Sequence, residues 1–266
     1  VVPGGPVDPE RTYVIASTAR AGTSMLAEAF RASGVLGAPD EVLQSAALGG
    51  FGRRFGSPRP TLRGHAARTV RRLRRDPDWR ATLRMRPASM PAFVQAVQQH
   101  RTTANGVFGL KVQWDQLASI RQFGIDPFEL FAWRRAVLLT REDHVRQAVS
   151  VHRARQTGRW RAQDEAEPTG PDEYDAGQIT KAIAAIETGE AGWREELARE
   201  SASGVAVFAI TYEQLEADPT ATVSRCFEFL GVSGTPIPAI STVRQADGTS
   251  EQWVQRYRDE RAAGDG

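Results

Sequence analysis

Cysteine is almost missing from this sequence: Cys226 stands alone among 266 residues. That excludes an intramolecular disulfide and a metal site built from thiolates, and it fits a reducing compartment. No apolar run approaches the roughly 18 to 20 residues that a membrane helix requires. The opening residues Val1 to Glu10 show no basic stretch leading into an apolar one. A cytoplasmic protein without integral membrane association is the expectation. An excess of one charge is lacking too, since 34 basic against 32 acidic residues leave a net +2. The whole molecule is therefore not a basic nucleic-acid binder. Lysine is scarce: Lys111 and Lys181 are its only representatives.

What is present is ordinary for a folded soluble domain, with 41% hydrophobic and 25% charged residues. The basicity is concentrated. Twelve arginines against Asp76 and Asp78 fall between Arg53 and Arg86, leaving the rest of the chain at −8. A solvated helical face is the default reading of that segment; a basic wall steering an anionic ligand is the alternative. The length suits one domain over residues 1–266.

Four short apolar runs, Thr12–Ser17, Val107–Val112, Ala136–Thr140 and Val205–Thr211, read as buried parallel strands. Helical patterns follow them, at Thr23–Ser33 with Gly34 as its stop, near Trp114, near Glu142, and at Thr220–Leu230 with Gly231 as its stop. This alternation predicts an α/β fold: three layers around a central, mainly parallel sheet, with ligands at the carboxyl ends of the strands. Gly49 to Pro91, rich in Gly, Pro and Arg, reads as a helical excursion. Arg161 to Asp175 reads as an exposed loop, and Arg261 to Gly266 as a fraying tail.

The turn after the first strand, Thr18-Ala-Arg-Ala-Gly-Thr-Ser24, brings Arg20, Ala21, Gly22, Thr23 and Ser24 to a helix N-terminus. Backbone N–H groups, the helix dipole, two hydroxyls and a guanidinium there suit a phosphate or sulfate. A simple helix N-cap at Thr23 or Ser24 is the competing reading. A Walker A loop is excluded because its first glycine and its lysine are missing, which disfavours a magnesium-dependent nucleotide hydrolase. A second candidate anion clamp is Arg141 with Ser150, at the end of the third strand and in the helix after it. Surface pairing of Arg141 and plain packing of Ser150 compete with it.

These residues lie in blocks with a familiar order. The runs YVIASTARAGTSMLAEAFRASGVLGAPDE, FGLKVQWDQL, LLTREDHVRQAVSVHRARQTGRWR and VRQADGTSEQWVQRYRDE resemble the signature blocks of the bacterial trehalose 2-sulfotransferase family. That resemblance implies a fold like that of nucleotide kinases and transfer of a sulfuryl group from 3′-phosphoadenosine 5′-phosphosulfate to a hydroxyl, with no metal. The product would be 3′-phosphoadenosine 5′-phosphate. It assigns Arg20 to Ser24 to the 5′-phosphosulfate and Arg141 with Ser150 to the 3′-phosphate, with Arg244 and Gln245 closing over the nucleotide. Arg20 would stabilise the leaving group. Glu41, in GAPDE, falls where the family carries its catalytic glutamate, and Lys111 would touch donor or acceptor. The family often forms homodimers.

The sequence departs from the family where the acceptor is expected. Val42 and Leu43 replace two aromatics, Gln113 and Asp115 replace Met and Asn, and His152 replaces Trp. Rings that stack on sugars are thereby lost, which predicts another hydroxylated small molecule: a carbohydrate, glycolipid or natural product. Gln113, Asp115, His152, Lys111 and Glu41 are the candidate acceptor contacts, with His152 the alternative base. A small-molecule kinase of related fold, or an anion-surface or nucleic-acid module using Arg53 to Arg86, remain the other functional classes.

Overall fold

The structure is a computed structural model, and it describes residues 9–44, 90–121, 125–160, 172–240 and 248–264. Four parallel strands form one sheet in the order β2-β1-β3-β4: β1 (Arg11–Ser17), β2 (Val107–Gln113), β3 (Arg135–Thr140) and β4 (Ala206–Thr211). Successive side chains alternate between faces, and β1, β2 and β3 are buried on both, which suits their apolar sequences, whereas β4 at the edge leaves Ala206, Val207 and Ala209 exposed. From β1, Val14 and Ala16 enter a core with Phe93, Leu117, Phe128, Trp193 and Leu197. Tyr13 and Ile15 enter the opposite core with Leu26, Phe30, Val223 and Phe227.

The first layer holds α2 (Met90–Arg101), α3 (Trp114–Arg121), α4 (Pro127–Phe131) and α6 (Ala176–Ala202). The other holds α1 (Thr23–Ala32), α7 (Tyr212–Ala217) and α8 (Pro219–Phe229). Beside the sheet, α5 (His144–Thr157) and α9 (Gly248–Gly264) join α6 in a third apolar cluster around Val149, Ile186, Trp253 and Tyr257. The three-layer α/β expectation describes this architecture.

Helix ends follow the local chemistry. Asp143 accepts from the Arg146 amide at the start of α5, Asp218 from the Ala221 amide at the start of α8, and Gly34 adopts φ 70° just past α1. The longest described helix, α6, occupies a stretch to which the sequence reading assigned no element, just after the loop expected over Arg161 to Asp175. Its buried Ile179, Ala182, Ile186, Trp193 and Leu197 recur at helical spacing. The tail expected to fray from Arg261 instead continues α9 to Gly264. Residues 45–89 and 161–171 lie outside the described residues, and with them the Arg53 to Arg86 segment.

The strand order puts the crevice for a ligand at the carboxyl end of β1. The chain leaves β1 for β2 on one side, and β3 joins from the other. Such a reversal opens a cleft between the two crossovers.

Candidate functional site

The loop of residues 18–22 leaves β1 at that cleft and turns into α1. Gly22 is the N-cap of α1, at φ 91° and ψ 5°, and no side chain caps the helix. The Thr23 or Ser24 N-cap reading is thereby corrected. The Met25 N–H donates back to the Gly22 carbonyl at 3.1 Å, which leaves the amides of Thr23 and Ser24 at the positive end of the dipole without a partner in the helix. Gly22 is required for two reasons: its φ is left-handed, and a Cβ would lie 2.5 Å from Cδ2 of Tyr212. Arg20 is also left-handed, at φ 64°.

Neighbouring helices fix the loop. Gln147, fully buried in α5, donates through Nε2 to Thr18 Oγ1 at 3.0 Å and to the Ala19 carbonyl at 2.7 Å. One turn later Ser150 Oγ accepts from Arg20 Nε at 2.8 Å, and Arg20 also donates to the Trp160 carbonyl. Trp193 of α6 donates to the Ser17 carbonyl at 2.7 Å. Ser150 thus stands with Arg20 of the loop, whereas sequence reasoning paired it with Arg141.

Arg141, just past β3, lays its guanidinium over the Tyr212 ring at 4.3 Å from the centroid. Its Nε is buried and has no hydrogen-bond partner among the described residues. Burial lowers its pKa below the ordinary arginine value, but an arginine remains protonated at neutral pH. A buried cationic donor left unmatched costs free energy, and an anion arriving at Arg141 would remove that cost. Tyr212 connects this arginine to the loop, since the same ring fills the space beside Gly22. Sequence reasoning missed Gln147 and Tyr212. Their signal is tertiary: Tyr212 lies far along the chain from the loop it packs against.

Glu41 occupies the other wall. The stretch before it is fixed by Arg101, which donates to the Ala38 carbonyl at 2.9 Å and pairs with Asp40 at 3.2 Å, and by Lys111, whose amide donates to the Asp40 carbonyl at 3.2 Å. Asp40 is thereby committed to structure, and Glu41 is turned to the β2 end. There Lys111 Nζ lies 2.8 Å from Glu41 Oε1, Gln113 Nε2 donates to the same oxygen at 3.0 Å, and Gln116 Nε2 donates to Oε2 at 2.9 Å. Lys111 also reaches Ser24 Oγ at 3.5 Å. The side chains of Lys111 and Glu41 are only 5% and 14% exposed, so neither is a solvated surface charge.

Asp115, in the first turn of α3, is open to solvent on one side. Its carboxyl is crowded by protein, and that desolvation raises its pKa, with the negative charge of Glu41 adding to the rise.

The structure does not bring the remaining candidates here. Val42 and Leu43, which stand where the family carries two aromatics, are buried in the core beside α2 and α3. His152 is buried too: Nε2 lies 3.0 Å from the Glu173 carbonyl, and the ring packs 5.8 Å from that of Trp253. It lies two positions after Ser150 on α5, a step that turns it toward α9 and away from the loop. The readings of His152 as acceptor contact and alternative base are corrected accordingly. Arg244 and Gln245 lie outside the described residues. Among the described residues, no three His, Cys, Asp or Glu side chains gather in a way that would hold a metal ion. No described helix is long and apolar enough to cross a membrane.

Comparison with known proteins adds a family. The profile described as Stf0 sulphotransferase matches residues 12–260. Trehalose 2-sulfotransferase of Mycobacterium tuberculosis (strain Erdman) is 31% identical over 265 residues, covering 94% of this chain and 95% of that protein. The protein of the same name from Mycolicibacterium smegmatis is 30% identical, covering 94% and 96%. Among solved structures, the sulfotransferase domain of the Synechococcus PCC 7002 olefin synthase aligns over 95% of this chain and 88% of that one, at 16% identity and a TM-score of 0.46. The family assignment rests on the sequence matches, not on that alignment.

Proposed function

The chain belongs to the Stf0 sulphotransferase family, and we propose that it moves the sulfuryl group of 3′-phosphoadenosine 5′-phosphosulfate to a hydroxyl of a carbohydrate, glycolipid or natural-product acceptor. The observation that carries this reading is one continuous cluster. Glu41 meets Lys111, and Lys111 meets Ser24 in the first turn of the helix whose N-terminus suits an anion.

In this reading the two phosphate-bearing ends of the donor have two cradles. The 5′-phosphosulfate lies against residues 20–24, and the 3′-phosphate meets Arg141, whose buried Nε has no partner among the described residues. Tyr212 fixes the relative position of the two, because it touches both Arg141 and Gly22. The acceptor oxygen forms a bond to sulfur as the bridging S–O bond to the nucleotide breaks. Glu41 takes the hydroxyl proton, and the bonding electrons leave with 3′-phosphoadenosine 5′-phosphate. The transition state is expected to be loose, like that of phosphoryl transfer, so orientation and fixed charge supply most of the acceleration. Arg20 and the first-turn amides of α1 are the groups offered to the charge that develops on the leaving oxygen.

For the acceptor, the departures from the family that bear on the site reduce to Gln113 and Asp115. With Gln116 they give the floor near Glu41 amide and carboxyl groups, which suit an acceptor with several hydroxyls. Trehalose belongs on the acceptor panel because the relatives carry that name.

The test is Glu41→Gln, assayed with labelled donor against sugars, glycolipids and hydroxylated metabolites. Binding of 3′-phosphoadenosine 5′-phosphate should stay within about threefold of wild type, while kcat falls by about 10²–10⁴, the usual contribution of a general base. Unchanged turnover refutes the base assignment, and failure of the wild-type protein to bind that nucleotide refutes the donor.

A further inference from the structure

Lys111 belongs to two neighbourhoods. By the two-residue alternation of β2 it projects on the same face as Tyr13 and Ile15, toward α1. Its ammonium lies 2.8 Å from Glu41 Oε1 on one side and 3.5 Å from Ser24 Oγ on the other. A lysine ammonium is a compact charge with three rotatable donors on a flexible stem, so it can exchange one anionic partner for another without backbone movement. Glu41 has two neutral donors besides, Gln113 and Gln116, and these would keep its carboxylate in place if Lys111 left.

We propose that Lys111 is shared between Glu41 and the donor: it pairs with Glu41 until a sulfuryl-bearing nucleotide occupies the cradle at the N-terminus of α1, then turns to the sulfonate oxygens and releases Glu41 to accept a proton. This rests on the reading of residues 20–24 as the phosphosulfate cradle. The physical consequence is antagonism. The negative charge of Glu41 competes with the sulfonate for one cation, and by linkage the sulfonate weakens the Lys111–Glu41 pair by the same factor. The base is then engaged by its own lysine whenever no group is present to transfer.

Two nucleotides that differ by the sulfuryl group isolate the effect. Binding of 3′-phosphoadenosine 5′-phosphosulfate and of 3′-phosphoadenosine 5′-phosphate is measured calorimetrically on the full chain, without acceptor, for wild type, Glu41→Gln, Lys111→Met and the double variant. Glu41→Gln should tighten the sulfated nucleotide about tenfold, within the usual range of coupling between two ligands. Lys111→Met should weaken it by a similar factor, and the desulfated nucleotide should move less than about twofold in both.

The double variant separates sharing from simple repulsion. If Glu41 merely repels the sulfonate, the two substitutions act additively, and that result overturns the proposal; sharing requires that Glu41→Gln lose most of its benefit once Lys111 is gone. Should Lys111→Met fail to fold, Lys111→Gln takes its place in the cycle, and equal effects of Glu41→Gln on both nucleotides overturn the proposal. A wild-type protein that binds neither nucleotide overturns the donor reading and this proposal together, whereas tight but insensitive binding overturns this proposal only.

Discussion

Gly22→Ala tests the loop most directly, because two separable costs meet at one atom. The residue sits at φ 91°, and an L-residue in the left-handed region costs about 1–2 kcal/mol. The new methyl group would also lie 2.5 Å from Tyr212 Cδ2, and overpacking of that kind costs about 1–3 kcal/mol more. Tyr212 cannot retreat without consequence, since the guanidinium of Arg141 lies over its ring at 4.3 Å. The strain must appear either as lost stability or as a loop that has abandoned its shape. Thermal unfolding reads the first, at about 2–4 °C per kcal/mol for a chain approaching this size. Calorimetric binding of 3′-phosphoadenosine 5′-phosphate reads the second, at about tenfold per 1.4 kcal/mol. Repeating the substitution in a Tyr212→Ala background removes the steric part, so the cost of the methyl group should shrink there to the backbone part of about 1–2 kcal/mol. Wild-type melting and wild-type affinity in the single variant would refute the account of this turn, and equal costs in both backgrounds would refute the role of the tyrosine.

Two other substitutions extend the reasoning. Gln147→Leu removes the two hydrogen bonds that Gln147 gives to the loop and leaves Thr18 Oγ1 and the Ala19 carbonyl without that donor; a loss of about 1–3 kcal/mol should appear in the melting curve together with weaker nucleotide binding, and wild-type affinity would show that the remaining contacts hold the loop in shape. Asp143→Asn concerns pH. Burial tends to raise the Asp143 pKa, but the hydrogen bonds from the Arg146 amide and guanidinium, with the Arg258 pairing, outweigh it and leave the carboxyl below its ordinary value. A lowered folded-state pKa means stability that is fully present above the unfolded value of about 3.9 and lost as pH falls through the folded value. The stability gap between wild type and Asp143→Asn, measured by thermal melting, should therefore be constant from neutral pH down to mildly acid conditions and close only below about pH 4. A gap that closes near neutrality would contradict the assignment.

The fold was largely legible because β1, β2 and β3 are covered on both faces and β4, though exposed over Ala206, Val207 and Ala209, is equally apolar in sequence. Uninterrupted apolar runs end at Ser17, Gln113, Thr140 and Thr211, with Gly34 and Gly231 marking where α1 and α8 stop. The longest helix escaped because its apolar stripe is diluted by buried polar residues such as Glu190 and Glu196 and follows a Pro- and Gly-rich stretch. Its period from Ile179 to Leu197 was nonetheless available. In the cleft, the structure brings together residues that lie close in sequence to an obvious feature: those of the β1–α1 turn, Glu41, and Lys111 beside it. Positions whose meaning depends on packing were not legible. Gln147 reads as an ordinary helix residue until its amide is seen against Thr18, and His152 reads as a cleft residue until its burial elsewhere is known. Sequence neighbours of a reactive residue share its strand or loop but not its direction, and in a buried layer every second position belongs to the core.

The scarcity of lysine has a practical side once the position of Lys111 is known. Acylating reagents need an accessible, deprotonated amine, and Lys111 is buried while Lys181 is exposed on α6. Apart from the chain's own amino terminus, a dye or immobilising linker directed at amines would therefore attach to Lys181, on a helix whose opposite face supports the sheet. The protein thus carries one natural side-chain address for such labelling, and attachment there leaves the buried Lys111 untouched.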